Sequence, residues 1–444
     1  MSANPLLIIH GWSDHSTSFI NLSQLLQKEL KQEIHYFNLA DYLSMDDEIT
    51  FDDIITAMEH AWHKSQLPTK PYSVDVIAHS TGGLIIRDWI CRNFTPENCP
   101  IKHLVMLAPA TFGSGLAHKG QAFIGRVVKG FTNEKMFQVG EKILQGLELG
   151  SDYSWNLAMQ DRFGTLDYYG PGKILCTVLI GDTGYTGISA AANEKGTDGV
   201  IRIAAANMNC SFLKADFSQK PQQPTYQLQT SLGLTAFGIL TQENHSSIVA
   251  VEDTTNNPLT ISSIIGGLTV NDYQFHTWCQ QLTELTQNTI CSDSENTETY
   301  YNQHSVFLVQ NQFNEFIKDY FLEFYTPDDN QHWFSQIFHE KAIMNAHNFS
   351  QNPSYRSLYI NYHILQQQFD KEWDGMCISL TAQPQFSMNN NVGYRTFTDN
   401  DIGGIHFSKE QVTQLFIPNQ TLLTRIIIRR EQAEKVFEIH ELAS

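Results

Sequence analysis

Short apolar runs and amphipathic stretches take turns along the first half of the chain. Five runs have the length and composition of strands, at residues 6–9, 34–37, 73–78, 102–108 and 174–181. Three amphipathic stretches between them predict helices at residues 19–30, 51–62 and 83–93. The strand runs contain continuously apolar stretches, such as Leu-Leu-Ile-Ile at residues 6–9 and Val-Leu-Ile at residues 178–180, which is typical of a sheet covered on both faces. The pattern therefore predicts an α/β domain with a mostly parallel sheet and flanking helices.

The alternation is interrupted by an insertion at residues 111–155. Five large apolar residues there share one face of a predicted helix: Phe123, Ile124, Val127, Val128 and Phe131. Beside an active site such a helix would act as a lid or line an acyl pocket, and we interpret the insertion in this way. A helix that faces the core has the same pattern, so this alternative stays open.

The composition changes in the last third of the chain. Residues 288–304 are polar and predict a linker. Beyond them, four stretches rich in β-branched and aromatic residues predict strands at residues 357–369, 376–382, 422–430 and 435–441. We therefore expect an α/β domain at residues 1–287 and a β-rich C-terminal domain at residues 305–444.

The charge balance narrows the classes of partner. The chain has 444 residues, with 28 Lys and Arg against 47 Asp and Glu, and a formal net charge of −19. Nucleic-acid binding needs clustered basic residues that neutralise phosphates, so we expect no nucleic-acid partner. The same charge argues against broad electrostatic adhesion to anionic lipid.

The first residues of the chain and the cysteines indicate the cellular compartment of the protein. The first apolar run, residues 6–9, is short and no basic residue precedes Lys28, so we expect no secretory signal peptide. No stretch approaches the roughly 18–20 apolar residues of a membrane-spanning helix. The seven cysteines are scattered without a C-x-x-C pair, which favours reduced thiols. We expect a cytoplasmic protein or one that contacts a membrane peripherally.

A serine stands between a predicted strand and a predicted helix, in the sequence Ala-His-Ser-Thr-Gly-Gly at residues 78–83. This pattern is typical of a nucleophile elbow, with alanine where glycine is commonest. The residues two before and two after the serine must be small so that strand and helix can pass closely, and Ala78 and Gly82 are small. We therefore predict an α/β-hydrolase fold with Ser80 as nucleophile. An ordinary serine in a strand–helix loop is the alternative.

The sequence His10-Gly11-Trp12 follows the first predicted strand. In α/β-hydrolases the oxyanion hole combines the N–H of the residue after the nucleophile with an N–H from a nearby loop. We assign these two donors to Thr81 and Trp12. His10 is interpreted as a structural residue of this loop.

The remaining triad residues follow from chain order, because in this fold the acid follows the nucleophile and the histidine follows the acid. Asp182 directly follows the last of the five predicted strands, whereas Asp198 lies in a Gly-flanked turn that can aim its carboxylate. We prefer Asp198, with Asp182 as the alternative. His245 lies in a polar turn and is the only histidine between Asp198 and His276, so we predict it as the base.

The expected chemistry is acyl transfer through a serine, and it requires no cofactor or metal. His245 would take the proton of Ser80, and Asp198 would hold the imidazole in the right tautomer. His339 and Glu340 begin an H-E-x-x-H pattern, but Ile343 stands where the second histidine would be. A Gly-rich phosphate loop with its lysine is also missing from the sequence.

Together these motifs resemble the PlaB-type family of bacterial membrane-associated phospholipases A and lysophospholipases A. The resemblance rests on the Ala-His-Ser-Thr-Gly-Gly elbow, the His-Gly-Trp loop, the Thr-Asp-Gly-Val turn, the Asn-His-Ser turn and the long β-rich extension. It implies Ser80, Asp198 and His245 as the triad and the acyl esters of phospholipids and lysophospholipids as substrates. It also implies a bacterial source, a C-terminal domain required for activity, and homo-oligomerisation.

Two other classes of function remain open from the sequence. The same triad serves an acyltransferase, in which an alcohol instead of water resolves the acyl-serine, or a general lipase or carboxylesterase. A non-catalytic binding protein that retains the fold is less favoured, since nucleophile, acid, base and both oxyanion donors have candidates in the right order.

Overall fold

The chain divides into two compact units. The computed structural model describes residues 4–11, 19–37, 47–117, 140–186, 190, 193–219, 224–249, 257–292, 300–326, 333–369, 375–382, 392–394 and 405–432. Unit 1 comprises Met1–Cys210, Thr230–Asn302 and Pro418–Thr421, and unit 2 comprises Ser211–Gln229, Gln303–Ile417 and Leu422–Ser444. The segment Ser211–Gln229 thus interrupts unit 1 in sequence. The domain limits given above, 1–287 and 305–444, stay a prediction.

The first eight strands are β1 (Leu6–Ile9), β2 (Ile34–Phe37), β3 (Val74–His79), β4 (Ile101–Leu107), β5 (Leu175–Gly181), β6 (Cys210–Asp216), β7 (Thr225–Thr230) and β8 (Thr235–Leu240). Six of them form the sheet of unit 1, in the order β2-β1-β3-β4-β5-β8. Every pair in this sheet is parallel. The α/β-hydrolase class predicted from the sequence is confirmed, and β1 to β5 end within one residue of their predicted limits.

The helices of unit 1 in the described residues are α1 (Ile20–Leu30), α2 (Phe51–Lys64), α3 (Thr81–Asn93), α4 (Glu141–Leu147), α5 (Asp152–Asp161), α6 (Ile203–Ala206), α7 (Pro258–Thr269) and α8 (Phe275–Ser292). Helix α2 shows how such a helix is specified. A capping box between Thr50 and Asp53 starts it, and Ile54, Met58 and Trp62, spaced four apart, are buried. Strands β1, β3 and β5 are buried at every position, so the core lies on both faces of the sheet.

The described parts of the predicted insertion, residues 111–117 and 140–155, contain helix α4 and the start of helix α5. The apolar helix predicted at Phe123, Ile124, Val127, Val128 and Phe131 lies outside the described residues. At the predicted linker, residues 288–304, helix α8 continues to Ser292 and the next strand begins at Asn302.

Unit 2 is rich in β-structure, as the sequence predicts. Its further elements are β9 (Asn302–Asn311), β10 (Tyr320–Tyr325), α9 (Trp333–Ile337), a π-helix (Phe338–Ala342), β11 (Ile343–Asn348), β12 (Tyr355–Asn361), α10 (Tyr362–Phe369), β13 (Gly375–Ala382), β14 (Val392–Tyr394), β15 (Ile405–Ser408), α11 (Lys409–Leu415), β16 (Thr421–Ile428) and β17 (Arg430–Gln432). They form a six-stranded sheet β11-β12-β9-β16-β6-β7, a three-stranded sheet β10-β13-β15 and the pair β14-β17. The described residues contain no helix with the length and hydropathy needed to cross a membrane.

One predicted strand of unit 2 is wrong over half its length. The sequence predicts a strand at residues 357–369, but β12 ends at Asn361 and α10 follows directly. The Asn361 side chain accepts a hydrogen bond from the N–H of Ile364 at 3.1 Å, which is an N-cap contact that starts the helix. Apolar and aromatic composition alone did not reveal this cap. The strand predicted at residues 435–441 lies outside the described residues.

Candidate active site

A single residue, Ser80, connects strand β3 to helix α3. Its backbone has φ 54° and ψ −123°, a conformation that is sparsely populated for any residue with a side chain. Three backbone bonds hold it there, because the Ser80 N–H donates to the Leu107 carbonyl and the Ser80 carbonyl accepts from the N–H groups of Gly83 and Ala110. The strained turn leaves the Ser80 side chain partly exposed between buried neighbours.

Small residues around the turn allow its close packing. A Cβ atom added at Gly82 would lie 2.9 Å from the carbonyl oxygen of Ile9, and one added at Gly11 would lie 3.0 Å from the Cβ of Ser80. Ala78 is completely buried. The requirement for small residues, inferred from the sequence, thus has a specific cause: the end of β1 passes directly against the elbow.

His245 joins Ser80 to Asp198. Its Nε2 lies 3.0 Å from the Ser80 Oγ, and its Nδ1 lies 2.9 Å from the Asp198 Oδ2. Because an ionised carboxylate only accepts, Nδ1 carries the proton and Nε2 is free to accept from the serine hydroxyl. Asp198 is fully buried and His245 is 2% exposed. The structure therefore brings together the three residues that the sequence selected for the triad.

The Asp198 carboxylate is oriented by the turn that carries it. Its Oδ1 accepts hydrogen bonds from the N–H groups of Val200 (2.9 Å) and Ile201 (2.7 Å), which leaves Oδ2 for His245. Gly199 has φ +94°, a conformation that disfavours any other residue here. At the base of the turn the buried Arg202 forms a two-bond ion pair with Glu194, at 2.8 and 2.9 Å.

The loop that carries His245 is fixed by a buried carboxylate that sequence reasoning missed. Glu243 is 3% exposed and accepts from the Asn257 side chain and the Thr260 hydroxyl, both at 2.6 Å, and from the Ser247 hydroxyl. Asn257 and Thr260 belong to the start of α7, where a carboxylate is favoured by the helix dipole. In the sequence, the only local sign of these contacts is a glutamate two residues before the predicted base.

The alternative acid, Asp182, has other partners. Its carboxylate accepts from the N–H of Gln242 at 2.9 Å, the hydroxyl of Tyr300 at 3.0 Å and the hydroxyl of Thr183 at 2.8 Å. These contacts connect the end of β5 to Gln242 and Tyr300. The structure therefore places Asp198, and not Asp182, against His245.

Of the two predicted oxyanion donors, Thr81 and Trp12, only Thr81 lies in the described residues. Thr81 is the first residue of α3, and an N–H in the first turn of a helix has no acceptor within the helix. It directly follows Ser80, so it can meet an oxyanion beside the nucleophile. Trp12 lies outside the described residues. The neighbouring His10 is buried and packs its ring against Phe19, with centroids 4.5 Å apart.

Two solved structures match almost the whole chain. Phospholipase PlaB from Legionella pneumophila matches with a TM-score of 0.83 and 25% identity, over 99% of this chain and 96% of that one. The same phospholipase in complex with thio-NAD matches with a TM-score of 0.82 and 25% identity, over 99% and 97%. A lipase from Bacillus licheniformis matches at a TM-score of 0.37 and 14% identity, over 61% and 93%.

No protein-family model and no curated protein sequence matches the chain. The match to the Legionella enzyme includes both units, since it extends over 99% of the chain. The resemblance inferred from the motifs is thus confirmed by the fold. The chain is similar to the PlaB-type phospholipase along almost its whole length, and it is a carboxylic ester hydrolase of the α/β-hydrolase fold.

Proposed function

We propose that the protein is a serine hydrolase that cleaves the acyl esters of phospholipids and lysophospholipids. The observation that carries the proposal is the unbroken chain of hydrogen bonds from the Ser80 Oγ through both nitrogens of His245 to the buried Asp198 carboxylate. Nucleophile, base and acid each stand within hydrogen-bond reach of the next, which is the geometry of nucleophilic catalysis.

In the first half of the reaction, His245 Nε2 accepts the proton of the Ser80 hydroxyl as Oγ attacks the ester carbonyl carbon. The resulting oxyanion accepts a hydrogen bond from the N–H of Thr81 and, in this proposal, from the N–H of Trp12. The intermediate collapses by breaking the bond to the alcohol oxygen, which receives the proton from His245. The alcohol leaves, and the acyl group stays on Ser80.

In the second half, His245 takes a proton from a water molecule that attacks the acyl-serine. The bond between the acyl carbon and Ser80 Oγ breaks, Oγ regains a proton from His245, and a fatty acid leaves. Asp198 stays ionised throughout and stabilises the imidazolium that forms in each half. Its complete burial strengthens this interaction, because the charge pair is shielded from water.

The lipid substrate is supported by likeness to one relative. That relative is a phospholipase, and its structure matches both units of this chain.

A peripheral contact with membranes and a homo-oligomer are further parts of the proposal, and they rest on the resemblance to the same family. Because the net charge is −19, we propose that membrane contact is made by apolar surface. Co-sedimentation with phosphatidylcholine vesicles that is lost at high salt would contradict this.

The proposal is tested with defined phospholipids, lysophospholipids and short-chain esters. The Ser80→Ala variant should lose kcat by on the order of 10⁶-fold on every substrate that the wild type cleaves. The exposed Ser65, at the end of α2, supplies the matched control, and Ser65→Ala should keep wild-type rates. Hydrolysis of short esters without any phospholipid cleavage would refute the substrate class. Undiminished hydrolysis by Ser80→Ala would refute the mechanism.

A further inference from the structure

A second histidine lies directly beside the base. His79, the last residue of β3, is 4% exposed, and its Nε2 lies 3.0 Å from the backbone carbonyl oxygen of His245. The two imidazole rings pack with centroids 4.7 Å apart. Because a carbonyl oxygen only accepts, His79 carries a proton on Nε2 and donates it to His245.

His79 also lies against the end of β1. A Cβ atom added at Gly11 would lie 3.6 Å from the His79 Nδ1 and 3.0 Å from the Ser80 Cβ. On another side, the ring of Phe19 packs edge-on at 5.9 Å. His79 therefore lies between Gly11, just after β1, and the loop that carries His245.

His245 is held at four points by two short segments of chain. Asp198 binds its imidazole through the carboxylate and its backbone N–H through the carbonyl, both at 2.9 Å. The elbow binds it in the same double manner, with Ser80 on the imidazole and His79 on the backbone carbonyl, both at 3.0 Å. Since His79 and Ser80 are adjacent in sequence, their two bonds fix where the His245 ring stands relative to the nucleophile.

We propose that His79 is a positioning residue for the reaction, which sets the distance and direction between His245 Nε2 and Ser80 Oγ. The inference rests on the proposed function. His79 acts by holding the backbone of the base. Without the His79 bond, the backbone of His245 loses one of the two hydrogen bonds described above, and a misplacement of about 1 Å costs on the order of 10²-fold in rate.

The test compares four forms of the full chain. His79→Gln keeps an N–H donor at the place of Nε2, His79→Asn shortens the side chain so that its amide reaches only the place of Nδ1, and His79→Phe keeps a ring without a donor. We expect kcat for a soluble p-nitrophenyl ester to fall about 10- to 100-fold in the Phe and Asn variants. KM should change less than about threefold, and His79→Gln should recover most of kcat. The rate of fluorophosphonate labelling of Ser80 should follow kcat.

Each outcome decides the inference. A wild-type kcat in His79→Phe would overturn it, as would an equal loss in His79→Gln and His79→Asn, since the donor would then not be what matters. A rise in KM with unchanged kcat would place His79 in substrate binding instead. If the Phe variant does not fold, as its thermal unfolding would reveal, the Gln and Asn variants still decide. Ser80→Ala with full activity would refute the proposed function and not this inference alone.

Discussion

At the scale of single residues, the site depends on bonds between residues far apart in sequence. Ser80 and His245 are separated by 165 positions and Asp198 and His245 by 47, yet their side chains meet within 3.0 Å. The three residues could be predicted because each lies in a local turn of recognisable sequence and because their order along the chain is fixed by the fold. His79 and Glu243 could not, since their roles follow only from contacts that no local pattern records.

The two candidate acids give a matched pair for testing the residue assignment. Asp198→Asn should lower kcat by on the order of 10⁴-fold, because an amide can donate to Nδ1 of His245 and so favour the wrong tautomer. Asp182→Asn should keep kcat within a few-fold, since Asp182 bonds to Gln242 and Tyr300 instead. Steady-state kinetics on one ester decides the matter. A larger loss in the Asp182 variant than in the Asp198 variant would reverse the assignment.

At the scale of elements, a buried ion pair ties the nucleophile helix to its neighbour. Arg87 of α3 and Asp161 of α5 are both fully buried and form two bonds, at 2.8 and 2.9 Å, and the hydroxyl of Tyr169 adds a third to the same carboxylate. Burial by itself lowers the pKa of Arg87, but the charge and the hydrogen bonds of Asp161, with smaller contributions from Tyr169 and Cys91, together outweigh it and raise the pKa well above its usual value. Arg87 therefore keeps its charge in the folded protein.

Breaking this pair should destabilise unit 1 strongly. Asp161→Ala leaves a buried guanidinium without its partner, so we expect a loss of about 3–5 kcal/mol in the free energy of unfolding. The combined change of Arg87→Met with Asp161→Leu should cost much less, because no charge remains buried. Lys142 and Glu48 form an exposed pair, and Glu48→Ala should cost less than about 1 kcal/mol. Urea unfolding measures all three, and equal losses in Asp161→Ala and Glu48→Ala would contradict the account.

Helices and strands could be predicted where the hydrophobic pattern fits only one of the two. Strand β1 is apolar at every position and β5 at all but Thr177, so their limits follow from the sequence alone to within one residue. Helix α10 could not be predicted in the same way, because its aromatic and β-branched residues also suit a strand. The cap contact of Asn361 decides between the two, and composition does not contain it.

At the scale of the whole molecule, the division of the chain was the least predictable feature. Ser211–Gln229 lies between Asp198 and His245 in sequence but belongs to unit 2. Its strand β6 is next to β16, and just beyond β6 the N–H of Phe217 donates to the carbonyl of Ile427 at 2.8 Å. A pairing over such a sequence distance leaves no local signature.

The buried thiols make the folded state sensitive to alkaline pH. Burial raises the pKa of the Cys99, Cys176 and Cys210 thiols to about 12 each. In the unfolded chain a thiol ionises near pH 8.5, so between about pH 8.5 and 12 the folded state binds more protons than the unfolded state. Their contribution to stability is therefore complete below about pH 8.5 and is lost as the pH rises.

Urea unfolding under reducing conditions from pH 8 to pH 10 tests this. The free energy of unfolding should fall with a slope of up to about 1.4 kcal/mol per pH unit for each buried thiol. A variant with Cys176→Ala should show a shallower slope than the wild type. Stability that rises or stays constant over this pH range would contradict the burial of the thiols.

The most direct test of the central claim is to identify the residue that a fluorophosphonate modifies. The native protein is treated with the probe, digested and mapped by mass spectrometry, with His245→Ala and the Ser65→Ala control in parallel. We predict one phosphonyl adduct on Ser80 in the wild type and the control, loss of ester hydrolysis in step with labelling, and far slower labelling in His245→Ala. Protein that hydrolyses esters without an adduct on Ser80, or with its adduct on another residue, would contradict the account.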